Sequence, residues 1–315
     1  MTRVIAITGA AGYLGQHLIQ YLNRVCSDIE LFVAIDIQKI AYFPEIPLIS
    51  YKIDVRDNFF SVLEDHGVTD LIHMAWILNP IHNVKKAYKI DVEGTKNVLK
   101  EGSKANVDYF LHTSSTLAYG AHPDNPYPLS ESDPLRGNQK FHYSHHKVLA
   151  EQVVDEFRTK NNNNMKIGKI RPSAILSYDS ENFVANILRG GWRTFFLMPY
   201  PNEDTPIQFL HLKDALEGFR FMLDQRLEGV YNVCPNTDVL VGQIPRILNG
   251  RGVKVPLRLL KGLLWIQWKL RLSQAPPAYL DFVAYPFVAS NQKVKNLGYS
   301  PKYSTEEVLL SFKGK

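Results

Sequence analysis

The sequence predicts an α/β protein built on a doubly wound parallel sheet, with a smaller, mostly helical C-terminal region. Two observations predict it. Short apolar, β-branched runs alternate with segments of helical periodicity through about residue 172. A glycine-rich turn joins the first run to the first helix, where such sheets bind ligands beyond the carboxyl ends of their strands.

"RVIAIT" (3–8) reads as a buried strand ended by glycine, and "YLGQHLIQYLNRV" (13–25) as the helix that follows. "ELFVAID" (30–36) is a second strand and "LISYKIDV" (48–55) a third. "DNFFSVLEDHG" (57–67) is a short helix and "TDLIHMA" (69–75) a fourth strand. A long helix is expected from about 81 to 104. "VDYFLHTSS" (107–115) is a fifth strand, and a helix covers about 141–160. The tetra-Asn run, read as a solvated turn, precedes a sixth strand ending at "KIRP". Beyond it, "DSENFVANILRGGWRTFF" and "VPLRLLKGLLWIQWKLRL" read as helices, "TPIQFLHLKDALEGFRFML" as a short strand and a helix, and "GVYNVC" as another strand. The boundaries that follow are 1–172 for a Rossmann-type dinucleotide-binding domain and 173–315 for a substrate-binding region. Residues about 205–235 are expected to return to the main sheet.

Hydrophobic residues make up 45% of 315, enough for a substantial core and against global disorder. The net charge is +5, with Lys and Arg scattered, so nucleic acid is not an expected partner. Cys26 and Cys234 form no close pair and no zinc spacing, as expected of two reduced thiols in a cytoplasmic protein. The first residues enter a strand at once without a signal-peptide pattern, and no apolar run is long enough to span a bilayer.

In "ITGAAGYLGQHL", Gly9, Gly12 and Gly15 permit a tight turn and close approach of backbone N–H groups to a pyrophosphate. Tyr13 and Leu14 lie within the same loop. The helix N-terminus adds partial positive charge. Asp36, about twenty residues on, can accept hydrogen bonds from an adenosine ribose. It would repel a 2′-phosphate by roughly 4 kcal/mol at about 4 Å and an effective dielectric of ~20. NAD is therefore expected over NADP, with Lys39 nearby as a countervailing charge. Asp54 and Val55, ending the third strand, can meet an adenine edge.

The helix at "FHYSHHKVLAEQ" places Tyr143 and Lys147 four apart on one face. Thr113, Ser114, Ser115 and Thr116 end the fifth strand, facing the same crevice in such a fold. Oxidising an alcohol needs a group that takes the hydroxyl proton. A free phenol is about one part in a thousand ionised at pH 7. A neighbouring ammonium, together with the positive ring of an oxidised nicotinamide, favours phenolate; a Coulomb contribution of roughly 4 kcal/mol equals about three pKa units, the right size to bring the phenol near neutrality. A Ser hydroxyl would hold the substrate oxygen. His142 and His146 have metal-binding helical spacing but no local acidic or cysteine ligand, so no metal is expected. His211 reads as structural.

These motifs, with "DVRD" (54–57), "HMA" (73–75), "DVEGTKNVL" (91–99), "TSSTLAYG" (113–120), "IRP" (170–172) and "FLHLKDAL" (209–216), occur in one order over most of the chain. In this the chain resembles extended-type short-chain dehydrogenases/reductases of the NAD-dependent epimerase/dehydratase superfamily. The resemblance implies that Gly9, Gly12 and Gly15 line the dinucleotide phosphates and that Asp36 binds the adenosine ribose. It implies that Asp54 and Val55 meet adenine, that Ala75 lies against the cofactor, and that the backbone around Pro172 faces the nicotinamide. It makes Tyr143 the acid/base, Lys147 its partner and Ser115 the catalytic hydroxyl, and it implies a homodimer through helices near 81–104 and 141–160.

Three features depart from the pattern. Trp76 stands where a small residue is usual, and Asp91 replaces the common Asn. "RPSAILSYDS" lacks the Gly-Pro and the Asn associated with nucleotide-sugar substrates. The expected activity is NAD-dependent oxidoreduction or epimerisation at an alcohol or ketone carbon of a small-molecule substrate. That substrate is a nucleotide sugar by resemblance, or a hydrophobic alcohol or ketone by C-terminal composition. Epimerase, dehydratase and dehydrogenase remain alternatives, as does a non-catalytic dinucleotide sensor. In "VPLRLLKGLLWIQWKLRL", a membrane-surface helix and a lid are alternatives to the expected reading, a helix packed inward with Lys and Arg at its edge. Membrane binding is accordingly not expected.

Overall fold

The computed structural model describes residues 2–40, 45–160, 164–193, 195–273 and 275–314. Asn161–Asn163 of the tetra-Asn run lie outside the described residues. The N-terminal strands are β1 (Arg3–Thr8), β2 (Ile29–Asp36), β3 (Leu48–Lys52), β4 (Asp70–His73), β5 (Tyr109–Thr113) and β6 (Lys166–Pro172). The helices between them are α1 (Tyr13–Val25), α2 (Phe60–Asp65), α3 (Val84–Tyr88), α4 (Gly94–Lys104) and α5 (His142–Lys160).

The C-terminal part adds β7 (Ala174–Leu176), β8 (Phe196–Tyr200), β9 (Pro206–Ile207), β10 (Phe209–His211), β11 (Gly229–Val233), β12 (Val239–Leu240) and β13 (Gly252–Pro256). Its larger helices are α6 (Phe183–Arg193), α7 (Leu212–Gln225) and α9 (Leu257–Lys269), with the single-turn α8 (Ile244–Ile247) between the last two. The main sheet has seven parallel strands in the order β11-β6-β5-β4-β1-β2-β3. The strand order reverses beside β1, which is where a doubly wound sheet opens its ligand crevice.

The apolar runs read as continuous because both faces of this sheet are covered. Ile5 and Ile7 of β1 pack with Phe32, Leu111 and Ile170 on one side. Ala6, with Val33, Leu71 and Phe110, packs on the other. A separate aromatic core, including Phe141, Phe183, Phe209 and Phe282, joins the start of α5 to the C-terminal part. β11 pairs in parallel with β6 and joins the main sheet, whereas β9 and β10, earlier in the 205–235 stretch, lie in separate ribbons. The C-terminal part also carries three two-stranded ribbons, β7/β10, β9/β12 and β8/β13. Strands of two to five residues are too short to display an alternating pattern.

Two elements differ from expectation. The helix expected from about residue 81 starts at Val84, where the Asn83 side chain accepts from Lys86 N, and it is π-helical over Lys89–Glu93. That wider turn carries Asp91 into the interior, where it is fully buried. α9 is the second exception: it turns Leu259, Leu263, Ile266 and Leu270 to solvent rather than packing them inward.

Candidate active site

The glycine turn sits at the carboxyl end of β1. Gly9 has φ +74°, the left-handed region that favours glycine, and a Cβ there would lie 2.5 Å from Ala75 N. A Cβ on Gly15 would lie 2.5 Å from Gly9 O. The turn is thus packed backbone to backbone against the end of β4, with Ala75 alongside. Gly12 is the N-cap of α1 with no side-chain cap, so the first N–H groups of a thirteen-residue helix open toward the crevice. The Asp36 carboxylate accepts from Ala11 N and Gln38 N, both at 3.0 Å, which fixes it beside this turn.

Asp54 is held in a fork by Arg56, at 2.9 and 2.7 Å, which keeps its carboxyl below the usual range. Val55 is buried, and its carbonyl accepts from the Asn97 amide. Asp54 and Val55 lie just beyond β3, outside the lining of the cavity at the glycine turn.

A cavity of about 280 Å³ opens between the glycine turn and α5. Gly9, Gly12, Tyr13, Leu14 and Gly15 form one side, and Ser115, Tyr143, Lys147 and Pro172 the other. Seven of the predicted residues and the two loop neighbours therefore meet in one crevice. Ser115 accepts from Leu117 N at 3.2 Å, capping a short 3₁₀ turn, and its hydroxyl donates to Pro172 O at 3.4 Å. Lys147 is buried, and its ammonium donates to Thr113 O at 2.7 Å. The same nitrogen lies 3.4 Å from the centre of the Trp76 ring and 5.6 Å from that of Tyr143.

Burial pushes Tyr143 up to about 12, the attraction of Asp91 for its proton adding to this and a hydrogen bond with Ser115 opposing it. Burial pulls Lys147 down to about 7, against the attraction of Asp91 and Glu151. The ammonium is aimed at a carbonyl and an indole face rather than at the phenol, so the protein alone does not make an acidic tyrosine.

Several residues to which the sequence assigned no role in the chemistry support the site. Glu151, one helical turn past Lys147, is buried and forked by Arg171 of β6 at 2.8 Å on each oxygen. Arg171 also donates to the Tyr119 hydroxyl at 2.8 Å, and Ser114 donates to Glu151. This network locks α5 to the strands that end at the crevice. Asp91 accepts from Ile77 N at 2.9 Å and pairs with His146 Nδ1 at 2.8 Å, tying the Trp76 segment to α5. His146 is thereby committed to Asp91, and among the described residues no group of three His, Cys, Asp or Glu could hold a metal. His211 caps α7 by accepting from Lys213 N, a structural task.

The residues fit a dinucleotide. Substituted glycines would fill the turn, and three residues lining the cavity carry buried polar atoms without partners: Trp76 Nε1, Thr113 Oγ1 and Ser173 Oγ. Such atoms are costly to bury unless something meets them.

Comparison with known proteins agrees with this geometry. The model of the NAD dependent epimerase/dehydratase family matches residues 5–234. The chain is 25% identical over 260 residues to the N-acetyl-alpha-D-glucosaminyl-diphospho-ditrans,octacis-undecaprenol 4-epimerase of Escherichia coli O157:H7, covering 78% of this chain and 72% of that one. It is 25% identical over 354 residues to the 3 beta-hydroxysteroid dehydrogenase type 7 of Mus musculus, covering 97% and 93%. The fold superposes with a TM-score of 0.75 on UDP-glucose 4-epimerase from Thermotoga maritima solved with UDP-glucose, at 18% identity, covering 99% of this chain and 97% of that one.

Proposed function

The chain belongs to the NAD dependent epimerase/dehydratase family, and from that footing we propose that it oxidises and re-reduces a hydroxyl-bearing carbon of a nucleotide sugar. The observation that carries this reading is the meeting of Tyr143, Lys147 and Ser115 with the glycine turn in one cavity.

In this reading the α1 N-terminus and the turn at Gly9, Gly12 and Gly15 hold the NAD pyrophosphate. Asp36 holds the adenosine ribose, Asp54 and Val55 the adenine, and Ala75 and Pro172 flank the cofactor. When bound, NAD supplies a hydride acceptor and, in its oxidised form, a positive charge. Ser115 holds the substrate oxygen. Tyr143, as phenolate, takes the hydroxyl proton and as phenol returns it. At a pKa of about 12 only about one phenol in a hundred thousand is ionised at pH 7. The tyrosine therefore becomes a useful base once Lys147 is fully protonated and further positive charge enters the crevice. Residues 1–172 form the cofactor-binding unit and 173–315 the substrate region, with about 205–235 shared.

A second reading has its own observation. Trp76, Leu78, Leu117, Ile175, Phe183 and Val184 give the cavity a largely apolar wall, which suits a hydrophobic alcohol or ketone. We assign the protein to the cytoplasm on its two free cysteines, Cys26 and Cys234, and a homodimer through α4 and α5 on family resemblance.

Incubation with NAD and a panel of UDP-linked sugars, with product analysis by chromatography, tests the first reading. An epimerised or dehydrated product without net NADH supports it. Turnover confined to steroid-like alcohols, with NADH released, transfers the assignment to the second.

A further inference from the structure

α9 inverts the usual surface helix, which turns its apolar stripe to the core and its polar face to water. Leu259, Leu263, Ile266 and Leu270 recur at spacings of four, three and four, so they form one stripe along the helix and its C-cap. Each is between 47% and 63% exposed. The opposite side, with Leu260 buried and Leu264 and Trp268 half-buried, is the one that faces the protein. Arg258, Trp265 and Lys269 flank the outward stripe. The Lys269 ammonium lies 5.5 Å from the Trp265 ring centre, and Trp265 is exposed. Leu272 beyond the helix is exposed at 75%. The strand pair leading into α9 adds exposed Leu197 and Val253, neighbours in register. Contiguous exposed apolar surface of this kind marks a docking site.

Charge identifies what docks. Between Asp238 and Asp281 the sequence holds no Asp or Glu and seven Lys or Arg. Lys254 and Lys261 are paired with Glu203 and Asp281. Among the described residues, Arg258, Lys269 and Arg271 make no ion pair. A second copy seated on this face would bring like charges together. An anionic lipid surface satisfies both halves of the pattern, because leucines and tryptophan enter the headgroup boundary while Lys and Arg meet phosphate. The helix also stands beside the crevice. Trp268 stacks on His82 with ring centres 3.8 Å apart, and Leu78, four residues before His82, lines the cavity and is exposed.

We propose that α9, with its flanking cations, is a membrane-surface helix that seats the mouth of the crevice on an anionic phospholipid bilayer. This reverses the sequence expectation that the segment packs inward. It is independent of the chemistry proposed above. No helix among the described residues is long and apolar enough to cross a membrane, so the contact is peripheral.

The test is flotation of the full chain with phosphatidylcholine vesicles, with and without phosphatidylserine, at low and high salt. Binding is expected to the phosphatidylserine vesicles only, with a blue shift of tryptophan emission, and to weaken with salt. The exposed-site variant Leu263→Glu/Ile266→Glu is expected to lose it with unchanged circular dichroism. Arg258→Ala and Lys269→Ala are each expected to weaken it about fivefold. Equal recovery with neutral and anionic vesicles overturns the proposal, as does undiminished binding by the double variant. So does a wild-type dimer, seen by sedimentation, that the double variant converts to monomer without any vesicle binding by the wild type.

Discussion

The Lys147 ammonium nitrogen lies 3.4 Å from the centre of the Trp76 indole, while the ring of Tyr143 meets that indole edge-on with centres 6.1 Å apart. Trp76 therefore does more than crowd the crevice. It supplies a negative π face to a buried cation that donates its hydrogen bond to Thr113 O. A desolvated contact of this kind is worth about 2 kcal/mol. Trp76→Ala is expected to lower kcat about tenfold or more, and Trp76→Phe by less, because Phe keeps a face for the ammonium. Steady-state kinetics of the two variants, with melting curves to confirm folding, checks this.

Lys147 gives the folded protein a pH dependence of a definite sign. Its pKa falls from an ordinary 10.5 to about 7. Between those values the unfolded chain holds a proton that the folded chain has released, so stability rises with pH across that window. The difference in melting temperature between wild type and Lys147→Met should move in favour of the wild type as pH rises through it. A difference independent of pH would show that the ammonium is not desolvated.

Asp91 answers for two donors at once, Ile77 N and the buried His146 Nδ1. Asp91→Ala strands both and is expected to cost about 3–5 kcal/mol. Asp91→Asn keeps one acceptor and should cost less. Urea denaturation of the two variants separates these outcomes.

The glycine turn makes a sharper prediction. A methyl on Gly9 would meet Ala75 backbone at 2.5 to 2.7 Å, at a φ that L residues rarely adopt. Gly9→Ala is expected to abolish NAD binding by calorimetry and to lower the melting temperature. Asp36→Ala should narrow the preference for NAD over NADP, since the charge that repels a 2′-phosphate by roughly 4 kcal/mol is removed.

The parallel sheet was legible because its central strands are buried on both faces and each turn carries its own residue chemistry. Tyr143 and Lys147 were legible because helical spacing puts positions four apart on one face. The direction of the Lys147 ammonium was not legible: it depends on Trp76 and Thr113, thirty to seventy residues away in sequence. Asp91 was visible only as a departure, since its two partners are brought to it by a π-helical turn that no local pattern announces. The outward stripe of α9 escaped for a related reason. A helical pattern records which residues share a face, and only tertiary packing decides which face looks out.

The proposed function rests on Tyr143 moving the substrate proton in a crevice that also holds NAD. The most direct measurement pairs turnover with NAD affinity for wild type and Tyr143→Phe, on whichever sugar nucleotide of the panel the wild type converts. A loss of about 10²–10⁴-fold in kcat is expected, with the dissociation constant for NAD unchanged. Undiminished turnover by Tyr143→Phe would contradict it.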